Sequence, residues 1–189
     1  MTLFRTAEPS AEPVTLAEAR AHLRLDHQGD DELLSGLIRS ARQEVERSTG
    51  LALLEQHWRL ALDRWPRSGR VALAVHPVRE VLSVTAFGSE GEASLLAPAN
   101  YEADLLSRPA RVHFSEMPKP GRIMNGVEID FTAGFGEAGT DVPDLLRRAI
   151  LLLVAHWYEF RAGFGPGDQP VSFPGGYDRL IAGYRARRL

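Results

Sequence analysis

The stretch LSGLIRSARQEVERSTGLALLEQHWRLAL, residues 34–62, changes its hydrophobic period partway along, and that change decides the fold class. Leu34, Leu37, Ile38, Ala41, Val45 and Ser48 recur at i, i+3, i+4, i+7, i+11 and i+14, the spacing of one helix face. Gly50 stands where a left-handed residue closes such a helix. From His57 the period falls to two: Trp58, Leu60 and Leu62 alternate with Arg59, Ala61 and Asp63. A helix hands over to strands near residue 56.

Upstream, Thr15-Leu16-Ala17-Glu18 has the spacing of a capping box and predicts a short helix with Leu16, Ala19 and Leu23 on one face. Asp30 is placed to cap the next helix, with Asp31 and Glu32 in its first turn, where the helix dipole favours negative charge. Residues 1–13 hold Pro9, Pro13 and two glutamates without an apolar period and read as an extended arm. Downstream, Val71, Leu73 and Val75, then Val78–Phe87, Tyr101–Leu105, Val112–Phe114 and Val127–Phe131 continue the strand pattern between short turns. The connections are too short for helical crossovers, so a small, mostly antiparallel sheet is expected.

Helical order returns at Val142-Pro143 and runs to about Ala162, roughly 30 Å at 1.5 Å per residue. Leu146, Ala149, Ile150, Leu153, Trp157 and Phe160 form its stripe, which Leu145, Leu152 and Val154 broaden, so most of its girth needs covering. Gly163–Pro170 reads as a loop. A last helix over 177–189 carries Tyr177, Leu180, Ile181 and Tyr184 at helical spacing beside Arg179, Arg185, Arg187 and Arg188. The expected fold is therefore α+β: a helical bundle of two amino-terminal helices, one long helix and a carboxy-terminal helix, with an inserted sheet at about 56–131. Its core, residues 14–176, reads as one domain.

Composition narrows the chemistry. The 189 residues carry 22 Lys plus Arg against 25 Asp plus Glu, a formal charge of −3, and no cysteine, which excludes disulfides, thiol nucleophiles and cysteine metal sites. Only Lys119 is lysine, so guanidinium groups carry nearly all the positive charge. The longest apolar run, Ala149–Ala155, is far short of the ~20 residues that span a bilayer. Met1-Thr2-Leu3-Phe4-Arg5 meets charge before a signal-peptide core can form.

Each catalytic candidate has a plainer explanation. Gly134-Phe135-Gly136-Glu137-Ala138-Gly139 spells G-x-G-x-x-G, but the helix starts only at Pro143, and Glu137 and Asp141 would repel a pyrophosphate. His156 and Glu159 share a helix face, yet Phe160 stands where an H-x-x-E-H motif needs histidine. Gly88-Ser89-Glu90-Gly91 lacks the spacing of a serine nucleophile elbow. No catalytic residue, cofactor or metal is expected. The carboxy-terminal tail has two readings, an amphipathic helix packed on its own domain or one that docks onto a partner.

Taken in order, Pro13–Arg20, His22–Leu25, Asp30–Leu34, Ile38–Glu46 with Thr49-Gly50, Gln56-His57-Trp58, His76-Pro77-Val78, Val127–Gly134, Val142-Pro143 and Ala149–Glu159 resemble the head–tail connector (head-completion adaptor) family of tailed phages, including the setting of gene transfer agents. The resemblance implies a non-enzymatic ring of roughly twelve subunits under the portal, assembled in the bacterial cytoplasm and resident in the particle neck. Its implied partners are further copies of itself, the portal protein and the next neck component, with DNA passing the lumen unbound and no membrane. The family reaches the portal with its carboxy-terminal segment, which here implies Tyr177, Leu180, Ile181, Tyr184, Arg185, Arg187, Arg188 and Leu189 as docking residues. A stopper or tail-terminator ring of the same particle is the alternative, and a nucleotide-binding enzyme using Gly134–Gly139 a more distant one.

Overall fold

The computed structural model describes residues 1–160 and 173–185. The chain divides into a β unit, 1–9 with 55–135, and a helical unit, 10–54 with 136–189. Loop 163–170 and the docking candidates Arg187, Arg188 and Leu189 lie outside the described residues.

In the helical unit the capping box at Thr15 forms as its spacing predicts. The Thr15 hydroxyl accepts from the Glu18 amide at 3.2 Å, and the Glu18 carboxylate accepts from the Thr15 amide at 2.8 Å. Helix α1 (Leu16–Leu23) follows, then α2 (Asp31–Thr49), closed by Gly50 at φ 72°. One expectation is corrected at Asp30. Its side chain makes no capping bond, because the carboxylate accepts from the Tyr158 hydroxyl of α3 (Asp144–Phe160) instead. Helices α1, α2 and α3 pack on one another, and Leu34, Ile38, Ala41 and Val45 meet a core shared with Leu146, Ala149, Ile150 and Leu153. The girth of α3 is only partly covered: Leu145 and Phe160 remain about half exposed. The last described helix, α4, spans Tyr177–Ile181 and passes into a 3₁₀ turn at Ala182–Tyr184.

The β unit holds two antiparallel sheets where the sequence suggests one. In the larger, β1 (Thr2–Ala7), β2 (Gln56–Leu62), β8 (Val127–Ala133), β4 (Val78–Phe87) and β5 (Ala93–Leu95) lie side by side in that order. The smaller has the order β3 (Arg70–Leu73), β7 (Ala110–Phe114), β6 (Tyr101–Asp104). Central β8 is fully hidden at Val127, Ile129 and Phe131, pairing Ile129 with Leu60 on one side and Val84 on the other.

Within the segment expected as an extended arm, Thr2–Ala7 forms an edge strand. It pairs with β2 from Thr2↔Ala61 to Arg5↔Trp58, and the Arg5 guanidinium lies 5.4 Å from the Trp58 ring centre. A cation over an aromatic face adds to the backbone ladder. The pairing partners are more than fifty positions apart, and β1 is mostly exposed, so it lacks a hydrophobic signature of its own.

Candidate interaction surfaces

The glycine-rich loop is built to be filled by its own chain. The Asp141 carboxylate accepts from the Ala138 amide at 3.0 Å, and a Cβ on Gly136 would stand 2.1 Å from Asp141 Oδ2. A Cβ on Gly139 would come 2.8 Å from the Pro13 carbonyl oxygen. These glycines are explained by close packing, and a carboxylate occupies the amide that a phosphate would need. On α3, the His156 ring packs 4.7 Å from that of Phe160. Among the described residues no three His, Asp or Glu side chains are grouped to hold a metal. Burial, with Arg108 adding to it, pushes the His76 imidazole below its ordinary range and favours the neutral form.

The carboxy-terminal candidates separate. Tyr177 and Ile181 are buried, and α4 packs on α3 and α2. Burial raises the Tyr177 hydroxyl pKa in the neighbourhood of Ser48 and Glu44 on α2, and its ring stacks on Phe173 at 5.2 Å. The four residues expected as an anchor set for a partner's groove thus divide between buried and half-buried positions. Tyr177 and Ile181 close the subunit's own core, because an amphipathic turn next to an incompletely covered helix finds the nearest apolar surface first. Leu180 and Tyr184 are half-buried and Arg185 is exposed, its guanidinium 2.5 Å from Asp178.

Several structural ion pairs were not singled out by sequence. Arg42, with a side chain 2% exposed, lies in the buried stripe of α2 and donates to Glu12 at 2.8 Å and to Glu46 at 3.0 Å. Arg147 donates to the Pro13 carbonyl and to Glu18. The Glu18 carboxyl is held below its ordinary pKa, first by the Thr15 amide bond and also by the Thr15 hydroxyl and Arg147, although burial opposes this. On the larger sheet Arg59 forks onto Asp130 at 2.7 and 2.9 Å and reaches Glu128 at 3.0 Å. The only sequence signal for these was the near-total use of arginine as the cation, which suits forked pairing with carboxylates.

One exposed pair gives a direct pH test. Asp104, the last residue of β6, accepts from Arg111 at 2.5 Å and from the Ser107 amide at 3.0 Å, and these bonds hold its carboxyl at about 2, against 3.8 for a free side chain. A lowered folded-state value means the stabilisation is complete above the unfolded value and disappears as pH falls through the folded one. Carboxyl-detected NMR titration should place Asp104 near 2, and Arg111→Ala should raise it. A midpoint near 3.8 in the parent would show that the turn is open in solution.

Among the described residues the Gly136–Gly139 loop, His76 and His156 are taken up by packing and several arginines by carboxylates, an arrangement that fits a structural protein. The comparisons agree with that class. The profile of the family described as Phage gp6-like head-tail connector protein matches residues 13–84. Three solved structures resemble the whole chain, each with 100% of this chain and 97% of the other covered. "Virion of native gene transfer agent (GTA) particle" matches at TM-score 0.83 and 28% identity. "Neck of empty GTA particle computed with C6 symmetry" matches at 0.82 and 29%, and "Neck of native GTA particle computed with C12 symmetry" at 0.80 and 31%. Among curated proteins there is no match to the chain. The chain belongs to the Phage gp6-like head-tail connector family.

Proposed function

We propose that this chain is a structural, non-enzymatic connector subunit in the neck of a phage-like particle, forming a twelve-membered ring that bridges the portal and the next neck component. The observation that carries the reading is the end-to-end likeness to a chain from a neck structure with C12 symmetry, at 31% identity. A ring is a head-to-tail interface that closes, so each subunit presents two different surfaces to its neighbours. The half-exposed Leu145 and Phe160 of α3 and the free sheet edges supply unpartnered surface for such contacts. The net charge of −3 suits a conduit that lets DNA phosphates pass without holding them.

Portal docking falls to the less buried described residues of the carboxy-terminal segment, Leu180, Tyr184 and Arg185, together with Arg187, Arg188 and Leu189, which follow in sequence. Tyr177 and Ile181 fasten that segment to the subunit. Deleting 177–189 would therefore confuse docking with folding. A sharper test removes 186–189 and reverses Arg185 to Glu, leaving both buried anchors in place. The variant should keep the parent's melting temperature and fail to join portal-bearing heads. Normal completion of heads by this variant would end the docking assignment, and imaging of labelled subunits reads out level and copy number along the neck.

A further inference from the structure

The smaller sheet of the β unit has two open edges of opposite character. Strand β3 pairs with β7 alone and lines a cleft whose apolar wall is Leu62, Trp65 and Val71 and whose rim is Arg64, Arg67 and Arg70. No carboxylate lines this cleft, and among the described residues none of these three arginines forms an ion pair. Trp65 is held in place, its indole N–H donating to the Pro118 carbonyl at 2.8 Å and its ring 4.8 Å from that of Phe114. Strand β6 likewise pairs with β7 alone; Glu102, Ala103 and Asp104 are exposed along it, and Glu102 has no ion-pair partner among the described residues. An open edge offers unpaired amides and carbonyls to another strand.

We propose that β6 of one copy adds to the open edge of β3 of the next, continuing the three-stranded sheet from subunit to subunit, with Glu102 set against Arg70 and Arg67. This rests on the ring reading above and names the contact that builds it. Direction fits. Strands β3 and β6 both run antiparallel to β7, hence parallel to each other, and copies related by a modest rotation keep that sense. The pleat fits too. Arg70, His113 and Glu102 stand level across the sheet and share one face, so a continued sheet sets Glu102 beside the next copy's Arg70. Ala103 then falls on the face of Val71, towards Leu62 and Trp65. Main-chain bonds supply affinity and the charge match selects the register. The apolar wall favours a peptide strand over a phosphate backbone, which would leave that wall unmatched.

The absence of cysteine makes the contact measurable. The double variant Ala72→Cys, Asp104→Cys places one thiol on each edge. Within one copy the two positions flank Arg111 across β7, two strand spacings or about 9.6 Å apart and beyond the ~7 Å reach of a disulfide. Oxidised particles should yield a ladder of covalent oligomers extending past the dimer. In an independent measurement, Arg70→Glu and Glu102→Arg, both at exposed positions, should each lower incorporation into particles at least about tenfold, while the two together should restore it. Particles that carry the subunit in a ring, show no ladder and tolerate both single reversals would overturn this contact and leave the ring reading intact. Rings that form normally with Arg70→Glu but retain less DNA would overturn it in favour of a nucleic-acid contact. A chain absent from particles in its parent form would sink the ring reading, and this contact with it.

Discussion

Replacing Arg42 with alanine should lower the stability of the helical unit by about 3–5 kcal/mol, the cost of removing one partner from a buried ion pair. The guanidinium is 2% exposed and faces Glu46, 10% exposed, and Glu12, 30% exposed. Without it, Glu46 stays largely desolvated and loses the Arg42 charge, while its other oxygen still accepts from the Leu53 amide at 3.0 Å. The side chain also ties the segment before α1 to α2, so the loss should register as earlier urea unfolding of helical signal. Arg42→Lys should recover part of the loss, because an ammonium keeps the charge but cannot fork between two carboxylates. A change below about 1 kcal/mol for Arg42→Ala would mean that water reaches and screens the cluster.

The second large effect is expected in the β unit. Phe131 is completely buried on β8, opposite Trp58 of β2 and Val81 of β4, so Phe131→Ala opens a cavity in the middle of the larger sheet. Large-to-small changes of this kind cost about 3–5 kcal/mol, the removed transfer energy plus the unfilled space. The control is Leu106→Ala at a fully exposed leucine, where a surface change should stay within about 0.5 kcal/mol. Equal effects at the two positions in a denaturant titration would show that β8 is not the centre of the sheet. Neither substitution touches the residues proposed to dock, so any loss of particle assembly should follow the loss of folded subunit.

Local physics was readable without coordinates. The capping box at Thr15, the left-handed stop at Gly50 and the full span of Val78–Phe87 each depend on residues within a few positions of one another. Asp141, noted in the sequence for its charge beside the Gly134–Gly139 loop, accepts from the Ala138 amide within that loop. The family's order of short motifs supplied the class of function. The carboxy-terminal residues expected to dock were less legible. Helical spacing grouped Tyr177, Leu180, Ile181 and Tyr184 on one face of a helix over 177–189, where the chain forms α4 and then a 3₁₀ turn, and spacing does not state whose apolar surface that face meets.

The sequence by itself determined the main helices and central strands, the caps at Thr15 and Gly50, the α+β class and the absence of thiol chemistry, because propensity, periodicity and composition are local properties. Tertiary structure alone decided that Thr2–Ala7 joins β2, that the strands divide into two sheets, that Asp30 serves Tyr158 rather than its own helix, and that Arg42 is buried between two glutamates. Each of those outcomes is a choice among distant partners. Such choices are fixed by register, burial and charge pairing across the folded chain, none of which has a signature within a short window of residues.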